Sequence, residues 1–361
     1  MTGRGRPRPV RIYDVAGKAG VSLATVSAVT TGNRPVASAT RERVLQAIAD
    51  LGYHANANAR ALAGGCNHTL ALLVPPVNNW QTALEMFATM LIECASQHGY
   101  SMLVSVTGAD DDAALGRLVA EQRVDGVLLL EVSLTDRRVA RLRSLEFPFV
   151  AIGRTADFRD FDSVDIDFEL VVASCVKRLA DLGHRRLALF NSSQTLYELG
   201  HGPTCRAERG FFKMCRRQGV QGTVVRCERR GGAGFAEMSA LLARPDHATG
   251  IIASNALTVP GIYQGVRAAA LRIPEDISVM AIAERCALAG IEPSVTVMGH
   301  AVAEMAHQAI QLMVTRIAQP ALPARTVLVR GPLEVGESTA RAPRAHSVQG
   351  PVTQREYQPA P

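Results

Sequence analysis

Hydrophobic and polar positions alternate in two different ways along this 361-residue chain. Over the first sixty residues, apolar positions recur at three- and four-residue spacing in short segments, which predicts a small bundle of helices. From about residue 69, short apolar runs alternate with segments that carry an apolar stripe at helical spacing, which predicts parallel α/β units. The runs that we predict to be strands are TLALLV, SMLVSV, GVLLL, FPFVAIG, RLALFN, TVVRC, GIIASN, ISVMAI and RTVLV.

The first two predicted helices have the pattern of a helix-turn-helix. Asp14 precedes the first helix, Gly20 ends it, and Ser22 caps the second. A glycine at this turn supplies the positive φ that the motif requires. A third helix follows in the segment SATRERVLQAIADLGY and completes a small core. We expect that core to contain Val15, Ala16, Ala19, Val26, Val29, Val44, Leu45, Ile48 and Leu51.

The charge distribution strengthens the prediction of DNA binding. Residues 1–65 contain nine lysines and arginines but only three acidic residues, so their net charge of +6 equals that of the whole chain. A basic head on a neutral body is typical of a protein that binds a polyanion. The chain opens on an extended basic arm, residues 1–10, in which Arg4 and Arg6 stand between glycines and prolines. We expect the arm to contact DNA, either inside a narrow A·T minor groove or diffusely along the phosphates.

Several other classes of protein are disfavoured. No stretch approaches the roughly 20 apolar residues of a membrane span, and the basic N-terminus lacks the apolar run of a signal peptide. The seven cysteines contain no C-x-x-C pair, and the histidines show no metal-ligand spacing. The sequence also lacks the nucleophile-elbow, P-loop and H-E-x-x-H motifs. We therefore expect a cytoplasmic protein without a cofactor or metal, and not an enzyme.

Motifs in a fixed order along the chain resemble those of the LacI/GalR family of bacterial transcription regulators. They are IYDVAGKAGVSLATVS, TRERVLQAIADLGY, ARAL, LALLVPP, RVDGVLLL, LADLGHRRLALF, RIPEDISVMAIAE and GEST. The resemblance implies an all-α helix-turn-helix domain followed by an α/β, two-lobed sensor domain of doubly wound parallel sheets, similar to periplasmic binding proteins. It also implies a homodimeric repressor that binds a pseudo-palindromic double-stranded DNA operator.

The resemblance suggests domain boundaries. After the arm, residues 11–55 form the helix-turn-helix domain and residues 56–66 a hinge helix. Lobe 1 of the sensor takes residues 67–164 and 297–322, and lobe 2 takes 165–296 and 323–339. The tail, residues 340–361, is rich in proline, alanine and glutamine and has no leucine heptad, so we expect it to be disordered and the assembly to stop at a dimer.

The resemblance also implies which residues contact DNA. Leu62, in the hinge, is the residue that would wedge the central base step. In the family, two positions of the recognition helix read the bases and vary between members, and here they hold Leu23 and Ala24. Ala28 stands at a position where family members usually have arginine. Because apolar side chains cannot donate bidentate hydrogen bonds to bases, we expect weak direct readout, supplemented by the arm. The full predicted set is Arg4, Arg6, Ser22, Leu23, Ala24, Thr25, Ser27, Ala28, Asn33, Arg60 and Leu62.

At the positions of the effector site, this chain departs from the family pattern. Positions where family members often have aspartate hold Pro76, Gly153, Ala256 and Ala283, and Ala207 replaces a usual arginine. A cleft that loses acids and keeps arginines favours an anion such as a sugar acid or sugar phosphate. A neutral sugar, a ligand-independent sensor and a sugar-binding protein remain alternatives. The predicted effector-binding residues are Trp80, Gln81, Arg154, Asp167, Arg229 and Asn255.

Overall fold

A computed structural model describes residues 10–31, 34–53, 66–74, 82–106 and 112–343. The first part is a three-helix head made of α1 (Ile12–Ala19), α2 (Leu23–Thr31) and α3 (Ser38–Leu51). Gly20 ends α1 with φ 65°, as the helix-turn-helix pattern predicts. The head packs around an apolar cluster that includes Val15, Val26 and Val44.

Two details of the predicted head are wrong. The first helix begins at Ile12, so Asp14 lies inside its first turn, where its carboxylate accepts a hydrogen bond from the Arg11 amide at 2.7 Å. Leu45 is 48% exposed and takes no part in the core. Ala47 is buried instead, because the inward face of α3 passes through Val44 and Ala47, three residues apart.

The rest of the described chain forms two six-stranded sheets. The first, in the order β11-β5-β4-β3-β1-β2, defines lobe 1, and the second, in the order β12-β10-β9-β8-β6-β7, defines lobe 2. All pairings are parallel except that of β12 with β10. The strands are β1 (Thr69–Val74), β2 (Ser101–Val106), β3 (Gly126–Leu129), β4 (Phe149–Ile152), β5 (Asp162–Ile166), β6 (Arg186–Asn191), β7 (Gln221–Arg226), β8 (Gly250–Ala253), β9 (Ser278–Ile282), β10 (Thr296–Met298), β11 (Thr326–Val329) and β12 (Leu333–Glu334).

Helices connect and cover the parallel strands, as the sequence pattern predicts. They are α4 (Thr82–Gln97), α5 (Asp112–Ala120), α6 (Arg137–Ser144), α7 (Phe168–Asp181), α8 (Gln194–Glu198), α9 (Gly202–Gln218), α10 (Ala233–Leu242), α11 (Val259–Ala268) and α12 (Val302–Ala318). Helices α4 and α12 pack together in lobe 1, whereas α7 packs on α9 and α10 on α11 in lobe 2. The predicted fold class, a helix-turn-helix head followed by a two-lobed α/β domain, is confirmed.

The described chain passes between the lobes three times: after β5, after β10, and between β11 and β12. Strand β11 belongs to lobe 1, although the predicted boundaries place 323–339 entirely in lobe 2. Strand β10 belongs to lobe 2, although those boundaries begin the second part of lobe 1 at residue 297. The last two crossings therefore lie a few residues from their predicted positions.

Each of the nine predicted strands overlaps an observed one, but β5, β10 and β12 were missed. Strand β5 does not show the apolar run of a buried strand, because Asp162 and Asp165 interrupt it, although all five residues of the strand are buried. Asp162 accepts hydrogen bonds from Arg316 Nε at 2.7 Å and from the Arg325 amide at 2.8 Å. Strands β10 and β12 are three and two residues long, too short for a periodicity to register.

No helix within the described ranges is long and apolar enough to cross a membrane. The seven cysteines are all free thiols.

Candidate functional site

The second helix of the head is fixed at its start by Ser22, as predicted. Ser22 Oγ accepts a hydrogen bond from the Thr25 amide at 3.2 Å and lies 2.9 Å from Thr25 Oγ1. Val26 and Val29 are buried against the head core, so the opposite side of α2 faces outward. This geometry suits a recognition helix, because its N-terminal residues are presented to the surroundings.

The described residues of the predicted DNA-contacting set differ in exposure. Ser22 and Ala24 are exposed, while Leu23, Thr25 and Ser27 are half-buried, with Leu23 packed on the head core. Ala28 is 4% exposed and therefore lies inside the head, which removes it from the candidate surface. The remaining predicted residues, Arg4, Arg6, Asn33, Arg60 and Leu62, lie outside the described residues.

A cavity of about 380 Å³ lies between the two lobes. It forms where the carboxyl ends of strands from both sheets face each other, the usual binding position in open parallel sheets. Leu130 and Glu131 directly follow β3, while Asn191 ends β6. Apolar side chains make up much of its wall: Phe87, Leu130, Val132, Ile152, Ile166, Phe168, Pro203, Ala207, Ala256, Leu257, Pro260, Ala283, Ala287, Val302 and Met305.

Three charged or polar side chains from different lobes meet at the wall of this cavity. Glu131, from lobe 1, accepts hydrogen bonds on Oε2 from His201 Nε2 at 2.6 Å and Arg229 Nη1 at 3.1 Å, both from lobe 2. Burial would raise the pKa of Glu131, but Arg229 and His201 outweigh it and hold that pKa below its usual value. The carboxylate is thus ionised at neutral pH. We call these three residues the Glu131 cluster.

A second polar group of the cavity wall lies at the start of α12. Glu284 Oε1 accepts hydrogen bonds from the backbone amides of His300 and Val302, at 3.1 and 3.2 Å. His300 also lines the cavity, and its Nε2 has no hydrogen-bond partner among the described residues. Burial lowers the pKa of His300, so its ring is neutral at pH 7.

The two arginines predicted to hold an anion are both engaged by carboxylates. Arg154 Nε donates to Asp165 Oδ2 at 2.8 Å, and its guanidinium lies 5.0 Å from the centre of the Phe158 ring. Arg154 is not among the residues that line the cavity, whereas Arg229 is. A free cation in the cleft, on which the expectation of an anionic effector rested, is therefore absent from these two positions.

Of the other predicted effector residues, one lines the cavity, one does not, and two lie outside the described residues. Asn255 lines the cavity, and its Oδ1 accepts a hydrogen bond from the Leu257 amide at 2.9 Å. Asp167 does not line the cavity but caps α7, accepting from the Leu170 amide at 3.2 Å. Trp80 and Gln81 lie outside the described residues.

Several polar residues of the cavity were not predicted from the sequence, above all Glu131, His201, Glu284 and His300. A signal existed for two of them, because Glu131 follows the strand run GVLLL and Glu284 follows ISVMAI by two residues. Residues at the carboxyl ends of parallel strands are candidates for ligand contact. No comparable signal marks His201, which reaches the cavity from the start of α9.

Comparison with known proteins agrees with this architecture. Residues 11–56 match the family described as bacterial regulatory proteins, lacI family, and residues 176–339 match the periplasmic binding protein-like domain. The HTH-type transcriptional regulator CelR of Thermobifida fusca is 30% identical over 336 residues, covering 90% of this chain and 96% of that protein. Catabolite control protein A of Priestia megaterium is 28% identical over 277 residues, covering 75% and 81% respectively.

Solved structures give the same result. The transcriptional regulator CelR–cellobiose complex superposes with a TM-score of 0.68 at 27% identity, covering 92% of this chain and all of that one. The lac repressor dimer bound to operator and the anti-inducer ONPF has a TM-score of 0.81 at 24% identity, with the same coverage, and supports the fold. With a 30% identical relative spanning 90% of its length, the chain belongs to the LacI family, and it is a DNA-binding transcriptional regulator and not an enzyme.

Proposed function

We propose that this regulator is a homodimeric repressor that binds a pseudo-palindromic operator in the bacterial nucleoid and releases it under control of a small, neutral, hydroxylated metabolite. The observation that carries the proposal is the cavity at the facing strand ends of the two lobes, in a chain whose head presents a capped recognition helix. A ligand that contacts both lobes can favour one arrangement of them over another, which is the requirement for control.

The chemistry of the cavity supports a neutral ligand over the anion that the sequence favoured. Arg229 is paired with Glu131, and Arg154 with Asp165. Glu131 Oε1 accepts no hydrogen bond from the described residues, so it is available to a ligand hydroxyl. Ionised carboxylates accept hydrogen bonds from hydroxyls and repel anions. The 27% identical CelR, solved with cellobiose, is a relative that binds such a ligand.

The edge of lobe 1 supports a dimer. Strand β2 is an edge strand, and Leu103, Val104 and Val106 on it are exposed. Long, apolar, unpaired edges are rarely left in water, because they associate with other chains. We propose a second copy of this chain as the occupant, so that Val104→Asp gives a monomer by analytical ultracentrifugation. A dimer that persists in this variant with unchanged affinity would contradict the interface.

The control by a ligand can be tested on DNA. The protein is footprinted on its own upstream region, and operator affinity is then measured while neutral sugars, including cellobiose, are compared with gluconate and glucose 6-phosphate. We expect a neutral sugar to change operator affinity and the anions to have no effect at matched ionic strength. A response to the anions alone would refute the neutral ligand, and no response to any compound would favour a ligand-independent regulator.

A matched pair of variants shows whether the response passes through the cavity. Ala287 lines the cavity, whereas Ala289, two residues on, is exposed and does not line it. Ala287→Phe narrows the cavity and should abolish the response to the sugar while operator binding is retained. Ala289→Phe should leave both unchanged. Equal effects of the two substitutions would place the ligand elsewhere.

A further inference from the structure

The Glu131 cluster joins three groups through a single oxygen atom. His201 Nε2 and Arg229 Nη1 lie 2.6 and 3.1 Å from the same Glu131 Oε2. A guanidinium and an imidazole that converge on one oxygen form the arrangement by which proteins hold carboxylates and phosphates. Here the oxygen that they hold belongs to the protein.

The backbone that carries this carboxylate is held in an unusual conformation. Glu131 has φ 55°, in the left-handed region, which is costly for a residue with a side chain. Neighbouring contacts hold the segment in place. The Leu134 amide donates to the Gly200 carbonyl at 2.7 Å, and a Cβ added to Gly202 would lie 3.0 Å from the Val132 carbonyl oxygen. A strained residue that tight packing maintains at a cavity wall is a candidate for a functional role.

The lobes are also connected by a second ion pair, and this one is buried. Arg206 Nη1, on α9 of lobe 2, lies 3.4 Å from Asp165 Oδ2 on β5 of lobe 1. Arg206 Nη2 additionally donates to the Arg154 and Thr155 carbonyls. This ion pair holds α9 against lobe 1. His201, at the start of α9, is therefore kept near Glu131 even if the hydrogen bond between His201 and Glu131 is lost.

We propose that Arg229 and His201 form an anion subsite of the effector cavity that the protein fills with its own side chain, Glu131, and that Glu131 is therefore the residue that excludes carboxylate and phosphate ligands. The proposal rests on the proposed function only in taking the cavity as the effector site. Glu131 acts as a specificity-determining residue: its occupied oxygen blocks Arg229 and His201, and its other oxygen, which accepts no hydrogen bond from the described residues, is available to hydroxyls.

Removing the Glu131 side chain should then allow the subsite to bind anions from solution. Glu131 and Arg229 are partly buried, and the loss of one partner of such an ion pair leaves the other charge uncompensated, which is costly to the protein. An anion from solution that enters the vacated space restores the pairing and stabilises the folded state by mass action. Inorganic phosphate and acetate are suitable probes, since each presents an anionic oxygen and is small enough for the space of a glutamate side chain.

The experiment compares thermal unfolding and calorimetric titration of the full-length protein and its Glu131→Ala variant in phosphate, acetate and sodium chloride of equal ionic strength. We expect the variant to bind phosphate at least about tenfold more tightly than the unaltered protein and to gain about 2–4 °C in Tm. Glu131→Gly serves equally if the alanine variant folds poorly, because glycine adopts the left-handed backbone without strain.

Two controls test whether the gain in phosphate binding arises at the subsite formed by Arg229 and His201. Glu131→Ala combined with Arg229→Ala should lose the phosphate response, and Glu131→Gln should not acquire one, because its amide still fills the space. Equal phosphate binding by the unaltered protein and the Glu131 variants, or a response that survives loss of Arg229, would overturn the proposal. Neither DNA nor a sugar enters these measurements, so the outcome is independent of the test of operator control.

Discussion

The head and the sensor lobes bury their polar groups in opposite ways. Among the described residues, no charged side chain of the head is buried, and its Lys18–Asp50 ion pair is exposed at the surface. The lobes instead bury charged residues, including Asp162, Asp165 and Arg206. The fold of the head therefore rests on an apolar pattern that is local in sequence. The lobes and their cavity also depend on ion pairs between residues that are far apart in the chain.

The largest effect that tests this contrast is a charge placed in the head core. Val44 is fully buried, and the core around it is small, so Val44→Asp should unfold the head and reduce operator affinity more than about 100-fold. The adjacent Leu45 is 48% exposed, so Leu45→Asp is a matched control that should retain the fold of the head. Fluorescence anisotropy measures affinity, and circular dichroism measures helix content. Loss of helix content in both variants would place Leu45 in the core after all.

The next effect concerns the buried charges of the lobes. Asp162 is 3% exposed and holds both Arg316 and the Arg325 amide, so Asp162→Ala should lower the free energy of unfolding by about 3–5 kcal/mol. Asp160 pairs with Arg143 at the surface, and Asp160→Ala should cost no more than about 1 kcal/mol. Urea denaturation followed by circular dichroism compares the two. Similar midpoints would show that the buried pair contributes no more than an exposed one.

The same contrast explains how much of the molecule could be predicted from the sequence. The helix-turn-helix was predictable because its signals, Gly20 and the Ser22 cap, act within a few residues. The central strands were predictable because both their faces are buried, which gives continuous apolar runs. Strand β5 was not, because its buried aspartates look like surface residues until their partners are known.

The cavity shows the same limit more sharply. Arg229 and Glu131 are 98 positions apart, so only the fold reveals that one neutralises the other. Substitutions such as Ala283, at positions that the family resemblance picked out, do line the cavity. The acids that line it, Glu131, Asp165 and Glu284, stand at different positions. Counting missing acids in the sequence therefore suggested a cationic cleft, which the described residues of the cavity do not form.

A smaller effect is the dependence of the free energy of unfolding on pH. In mildly acidic solution we expect this dependence to come mainly from the buried histidines of the sensor. Burial lowers the pKa of both His184 and His300 below the ordinary value of 6.5. The His184 ring is satisfied as a neutral group, since Nε2 lies 3.3 Å from the Ala340 carbonyl oxygen and Nδ1 2.9 Å from Thr249 Oγ1.

Because the unfolded chain binds protons on these histidines more readily than the folded one, their contribution is fully present above pH 6.5. It is lost as the pH falls below that value, by up to about 1.4 kcal/mol per pH unit for each histidine. Urea denaturation at pH 7.5, 6.5 and 5.5 measures the loss, and His184→Asn should reduce its slope. Stability that rises on acidification through this range would contradict the neutral, buried state of the rings.

The smallest effect returns to the head, where a single local bond can be removed. Ser22→Ala eliminates the acceptor for the Thr25 amide, and loss of such a cap costs about 1 kcal/mol. Hydrogen–deuterium exchange of residues 23–31 in the full-length protein should then become about fivefold faster, while exchange in the lobes is unchanged. Ser22→Asn keeps a capping oxygen and should exchange like the unaltered protein. Ser22 is also a candidate DNA contact, so exchange is measured without DNA to separate this role from capping. If Ser22→Asn exchanges as slowly as the unaltered protein but binds operator more weakly, Ser22 contacts DNA as well as capping the helix.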